Sequence, residues 1–184
     1  MKSLRRSEYN KAVQRTQALL ASHGIVLTAE EQEKIEVASF GLGDLDSQGL
    51  ELITYVNNDR YCAKDLVLFP RQTCPEHLHP PIGSDPGKRE TFRCRAGIVY
   101  LYVDGAPAEK LQSIIPSGSE PYYTVFHEVE LTPGKQYTIQ PGVKHWFQAG
   151  DDGAIVSEFS STSRDEYDIF TDPNIERIQK ITEE

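Results

Sequence analysis

The chain has 184 residues and a mass of 20.7 kDa, and its 38% apolar and 26% charged residues suit one folded domain and are too apolar for a disordered chain. Nineteen Lys and Arg against 28 Asp and Glu give a net charge of −9, so neither nucleic acid nor an anionic membrane surface is an expected partner. The N-terminal residues lead into polar Ser7, Glu8, Asn10 and Lys11 rather than an apolar leader, and no apolar run approaches the length of a membrane span, so a cytoplasmic location is expected.

From residue 7 to 23, Tyr9, Ala12, Val13, Leu19 and Leu20 recur at three- and four-residue steps and Gly24 follows, which predicts a helix with a glycine stop. Thr28 with Glu31 has the form of a capping box and predicts a second helix reaching about Val37. Beyond the glycine-bearing stretch 40–49 the texture changes to short apolar or alternating runs at 50–56, 62–69, 91–103, 123–131, 135–139 and 153–159, separated by turn-forming residues such as Asp104-Gly105, Pro133-Gly134 and 150–153. Many short strands at regular spacing predict a sandwich or barrel. The spacing of Ile175, Ile178 and Ile181 predicts a short closing helix within 174–184. The expected plan is a single domain over 1–184, with a helical extension (1–40), a metal-binding barrel (50–160) and a C-terminal segment (161–184). The three cysteines, Cys62, Cys74 and Cys94, are odd in number and lack Cys-x-x-Cys spacing, which predicts reduced, partly buried thiols.

The segment that points to chemistry is Glu76-His77-Leu78-His79, followed by Lys88-Arg89-Glu90 and later by Pro141-Gly142-Val143-Lys144-His145. Residues two apart in a strand face the same side, so His77 and His79 can offer two imidazoles to one metal ion. Glu90 opens the next strand and can add a carboxylate oxygen, and His145 follows a Pro-Gly turn. The expected metal ligands are therefore His77, His79, Glu90 and His145. His23 reads as a helix C-terminal residue, and His127, alternating with Val125 and Val129, fits a core or a pocket equally.

These segments resemble the two motifs of the cupin superfamily, with Gly97 after Glu90 in the first and 134–145 as the second. Cupins usually place the glutamate sooner after the second histidine. Here ten residues, 80–89, intervene, which reads as a longer loop at the barrel mouth and leaves another carboxylate as the alternative ligand. Within cupins the chain is similar to the D-lyxose isomerase family of sugar ketol-isomerases, from Thr28 to the Asp172-Pro173 turn. The runs that carry the likeness are Tyr61-Cys62, 66–70, 72–77, Glu90-Thr91-Phe92-Arg93-Cys94-Arg95, 144–150 and 168–173.

The resemblance implies a mostly β, jelly-roll-like cupin barrel with an N-terminal helical extension. It also implies interconversion of D-lyxose and D-xylulose, with D-mannose and D-fructose as a secondary pair. Metal-bound O1 and O2 would carry the reaction through an enediolate. Manganese is the implied metal; from the ligands alone iron, cobalt, nickel and zinc fit as well. Proton transfer between C1 and C2 needs a group that takes and returns a proton. Lys88, two residues before Glu90, can enter the same cavity, where desolvation beside a metal would lower its pKa. Glu158 lies in an otherwise apolar strand, where an unpaired carboxylate is costly. Both match residues assigned to the family's active site, Glu158 to move the carbon-bound proton and Lys88 to balance protons at oxygen. Those roles are exchangeable, and a hydride shift is the alternative path.

Asp168, His127 and Phe92 are the expected substrate-binding residues, with Tyr123 and Phe147 as further candidates for the walls and Trp146 facing away from the metal. Asp168 is chosen because it matches the family's late Asp-x-Phe segment. No nucleotide motif occurs. The expected partner is a small monosaccharide, and the expected assembly a homodimer. Other cupin enzymes, such as phosphosugar isomerases and non-haem oxygenases, and non-catalytic sugar-binding cupins share the barrel and metal and are the alternatives.

Overall fold

Two long strands, Glu90–Val103 and His145–Ser160, organise the molecule. The structure, a computed structural model, describes residues 2–178 and 180–183. In chain order its elements are β1 (Leu4–Arg5), α1 (Arg6–Ser22), α2 (Ala29–Glu33), β2 (Glu36–Ala38), β3 (Leu50–Asn57), β4 (Cys62–Leu68), β5 (Thr73–Leu78), β6 (Glu90–Val103), β7 (His127–Leu131), β8 (Gln136–Ile139), β9 (His145–Ser160), β10 (Ile169–Phe170) and β11 (Ile181–Thr182).

β6 and β9 pair antiparallel from Glu90↔Ser160 to Val103↔His145, with register shifts at Cys94/Ala96 and Gly97/Val99. At that interruption a Cβ on Gly97, whose φ is +70°, would lie 2.0 Å from the Gly153 carbonyl oxygen, so only glycine fits. The ladder divides there. One half continues through β4, β3 and β2 with β8 on the opposite side, and the other through β5 and β10 with β7 opposite.

Alternation then sorts the faces. Leu50, Leu52, Leu66, Leu68, Ala154 and Val156 of the first half form one buried cluster with Val99, Leu101, Val103, Phe147 and Ala149 of the second. Their neighbours Ile53, Val67, Phe69 and Ile155 point outward and are covered by Ala12 and Leu20 of α1, in a second cluster. Each fully buried aliphatic side chain contributes roughly 1.5–3 kcal/mol. On the outer face of the second half Tyr102 stacks on Trp146 at 3.9 Å, under a loop that carries Tyr123 and Val125. The product is a mostly β, cupin-like folded sheet with an N-terminal helical extension.

Four elements differ from the sequence expectation. The Thr28–Glu31 capping box forms, but its helix ends at Glu33 because Glu36–Ala38 pair with β3. Residues 150–153 are a bulged part of β9 rather than a turn between strands. The strand expected over 123–131 begins only at His127. The closing helix is absent from the described residues: Ile181–Thr182 instead pair in parallel with Leu4–Arg5. Gln179 and Glu184, which that helix included, lie outside the described residues.

Candidate metal centre and active site

Strand parity decides which side chains meet inside the fold. Cys74 faces the core opposite Phe147, and simple alternation from it would turn 76 and 78 inward. A register shift between Cys74 and His77, at Pro75-Glu76, reverses that parity and pairs His77 with His145. His77 and His79 therefore both face inward, their ring centroids 5.1 Å apart, with the His145 ring 4.2 and 5.2 Å from them. Glu90 opens β6, and its Oε1 lies 3.1 Å from His79 Nε2 and 3.0 Å from His145 Nε2.

The donor set suits a cation. One ring nitrogen from each of His77, His79 and His145 lies within 4.8 Å of the others. The opposite nitrogens are engaged: His77 Nδ1 is 2.8 Å from the Pro75 carbonyl, His145 Nδ1 3.0 Å from the Val143 carbonyl, and His79 Nδ1 2.5 Å from Asp168 Oδ1. Acceptors behind each Nδ1 turn Nε2 inward, the arrangement that orients metal-binding imidazoles. His145 Nε2 is buried without a hydrogen bond of good geometry, an orphan that a cation would satisfy. Burial, then the charges of His145 and His79, hold the His77 pKa well below its ordinary value. Burial also acts against charge on His79, but Glu90 and Asp168 outweigh it and raise this imidazole to about 9.

Inward-facing residues of the first half add the acid–base groups. Glu158 stands in register with Lys64 on β4 and Phe92 on β6, all on the core side of the sheet. Lys88 is buried, with Nζ 2.8 Å from Glu90 Oε2, 2.8 Å from Glu158 Oε1 and 3.5 Å from Asp165 Oδ1. Burial disfavours its charge, yet Glu158, Glu90 and Asp165 prevail and raise its pKa well above the ordinary value. Three carboxylates surround the ammonium and favour its charged form, whereas the expected lowering was tied to a metal charge beside Lys88.

Phe92 lines the cavity with Phe147, their rings 5.0 Å apart. Asp168 also lines it, although one oxygen is committed to His79. His127 does not line it: the side chain starts β7, packs on Gly105 and places Nδ1 3.0 Å from the Ala106 carbonyl. Tyr123 is likewise elsewhere, edge-on to Trp146 and bonded to Gln48.

Sequence reasoning missed Lys64, Asp165 and Arg177. Asp165 lies 2.5 Å from Lys64 Nζ and 3.4 Å from Arg177 Nη2. Burial would raise its pKa, but Lys88, Lys64 and Arg177 overcome this and hold it well below the usual carboxylate range. A lysine in the apolar run 62–69 carried the same signal as Glu158. Asp165 and Arg177 had no local signal.

Residues 29–184 match the family model described as D-lyxose isomerase. The chain is 65% identical over 178 residues to the D-lyxose ketol-isomerase of Cohnella laeviribosi, covering 97% of this chain and 98% of the relative. It is 61% identical, with the same coverage, to the D-lyxose/D-mannose isomerase of Thermosediminibacter oceani. Among solved structures, L-ribose isomerase of Acinetobacter sp. DL28 in complex with L-ribose superposes with a TM-score of 0.80 at 16% identity, over 98% of this chain and 99% of that one, a likeness of fold. The chain therefore belongs to the D-lyxose isomerase family.

Proposed function

We propose that the chain interconverts D-lyxose and D-xylulose, with D-mannose and D-fructose as a secondary pair that shares the reacting stereochemistry. The observation that carries this reading is a buried Lys88–Glu158 pair, 2.8 Å apart, beside three converging imidazoles. The names of the relatives at 61 and 65% identity support the sugar. His77, His79, His145 and Glu90 would hold one divalent cation, manganese by resemblance, with cobalt, iron, nickel and zinc as alternatives that the same donors suit. Such a cation would supply positive charge that polarises the sugar carbonyl and its neighbouring hydroxyl.

The chain's own groups carry the protons. Glu158 takes the proton from C2 and returns it at C1, through an enediolate. Lys88, kept charged by its carboxylates, donates a hydrogen bond to the developing oxyanion and balances the hydroxyl proton between O2 and O1. Phe92, Phe147 and Phe170 wall the cavity and exclude water. Lys64, Lys88 and Arg177 are each paired with carboxylates, which favours an uncharged sugar over a phosphorylated one. We assign the chain to the cytoplasm as a homodimer, which its mass in solution tests. No helix among the described residues is long and apolar enough to cross a membrane.

The test is isomerisation of D-lyxose by metal-stripped protein after each metal is restored singly. Replacing Glu158→Gln lowers kcat by about two to four orders of magnitude with metal content unchanged. Near-normal turnover in that variant would overturn the assignment.

A further inference from the structure

The catalytic cavity is narrow. The space bounded by His77, His79, Glu90, Phe92, Glu158 and Phe170 is about 30 Å³, room for about two waters. A five-carbon sugar displaces several waters, so it enters only if part of the wall moves. Two recesses share wall residues with this cavity. One, of about 10 Å³, meets it at His79, Lys88 and Asp168 beneath the 80–87 loop. The other, of about 240 Å³, meets it at Lys64, Asp165 and Arg177.

Size and chemistry favour the second. Its outer wall includes Glu36, Thr54, Asn57, Ser163 and Glu166, which offers the mixed donors and acceptors that sugar hydroxyls require. Past Glu36 and Ile178 it continues into a surface groove of about 490 Å³. The first recess is much the smaller and is tightly lined. Asp85 and Arg164 pair at 2.9 Å across it, and Gly87 packs so closely on the His79 carbonyl that a Cβ would lie 2.7 Å away.

The wall at the larger recess has one part free to swing. Lys64 sits in β4 and holds both Ser163, at 2.9 Å, and Asp165. Arg177 belongs to a stretch without regular structure. It reaches Asp165 at 3.4 Å, while also contacting Glu36, whose side chain is 45% exposed. The guanidinium can release Asp165 while keeping Glu36, and Asp165 keeps Lys64, so opening leaves no buried charge unpaired. We propose that this polar recess is the port by which an uncharged monosaccharide reaches the catalytic cavity, with Arg177 as the moving part of a Lys64–Asp165–Arg177 gate. The proposal rests on the isomerase reading of the site.

The test uses metal-loaded Glu166→Cys, an exposed position that lines the recess and not the cavity. The native cysteines are all buried, so methanethiosulfonates address the introduced thiol. A benzyl adduct should lower kcat/KM for D-lyxose by about tenfold or more, a methyl adduct by less than about twofold, and reduction should restore the rate. The same adducts on Ile82→Cys, at the smaller recess, should have little effect. A benzyl adduct at position 166 without effect, or a block confined to position 82, overturns the port. A second readout needs no turnover: dipicolinate should strip the metal about tenfold more slowly from the benzyl adduct, in the regime where the rate rises with chelator concentration. If the unmodified protein isomerises no aldose, the isomerase reading fails, and equal stripping rates then refute the port separately.

Discussion

Glu51 offers a measurement that isolates one buried group. It lies on β3 between Val37 and Val67, fully buried, with Oε1 3.3 Å from Gln72 Nε2 and Oε2 without a hydrogen-bond partner. Burial pushes its carboxyl up from the ordinary 4.5 to about 8, with Gln72 and the charge of Arg15 opposing. Between those values the native state binds more protons than the unfolded chain, so this group's stabilising contribution is complete below 4.5 and is lost as pH rises toward 8. The span of about 3.5 units corresponds to roughly 4 kcal/mol by pH 8. Glu51→Gln removes the titration and keeps the shape. Chemical denaturation should find variant and parent within about 1 kcal/mol at pH 5 and the variant more stable by roughly 4 kcal/mol at pH 8, or on the order of 10 °C in Tm. Because both proteins share every other titrating group, their difference reports Glu51 alone. A difference that stays constant from pH 5 to 8 would refute the reasoning.

Two further outcomes follow from the site. Asp168→Asn weakens the acceptor behind His79 Nδ1, and metal affinity measured by chelator competition should fall about 10- to 100-fold; unchanged affinity would show that His79 is oriented by other means. His127→Ala, outside the cavity, should leave kcat/KM for D-lyxose within about twofold, whereas a tenfold loss would return this residue to the substrate.

The three converging histidines were legible because their chemistry is local. His77 and His79 are two apart, and a Pro-Gly turn announces His145. The Thr28–Glu31 box was legible for the same reason, but its helix was overread, since pairing of Glu36–Ala38 with β3 is a long-range contact that local spacing cannot reveal. The closing helix failed similarly: its isoleucine spacing is helical, yet Ile181 pairs with Leu4, at the opposite end of the chain. His127 stands outside the cavity because alternation gives a strand's face but not which half of the folded sheet that face lines. The ionic wall joins Lys64 to residues about a hundred positions later, and only the fold brings them together.

Inward parity at His77 and His79 has a second effect. The shift at Pro75-Glu76 that turns both imidazoles toward the cavity sends Glu76 the other way, beneath the loop over the outer face. There its carboxylate accepts from Thr124 N at 2.5 Å, Thr124 Oγ1 at 2.8 Å, Val125 N at 3.1 Å and Thr171 Oγ1 at 2.5 Å, while Thr171 N donates to the Glu76 carbonyl. Four bonds satisfy a buried carboxylate that would otherwise be strongly destabilising. Thr171 directly follows β10, and Asp168 directly precedes it, so the anchor on Glu76 fixes the strand that carries Asp168 to His79. One bulge therefore sets the direction of two of the three converging imidazoles and, through Glu76 and β10, the carboxylate that orients one of them.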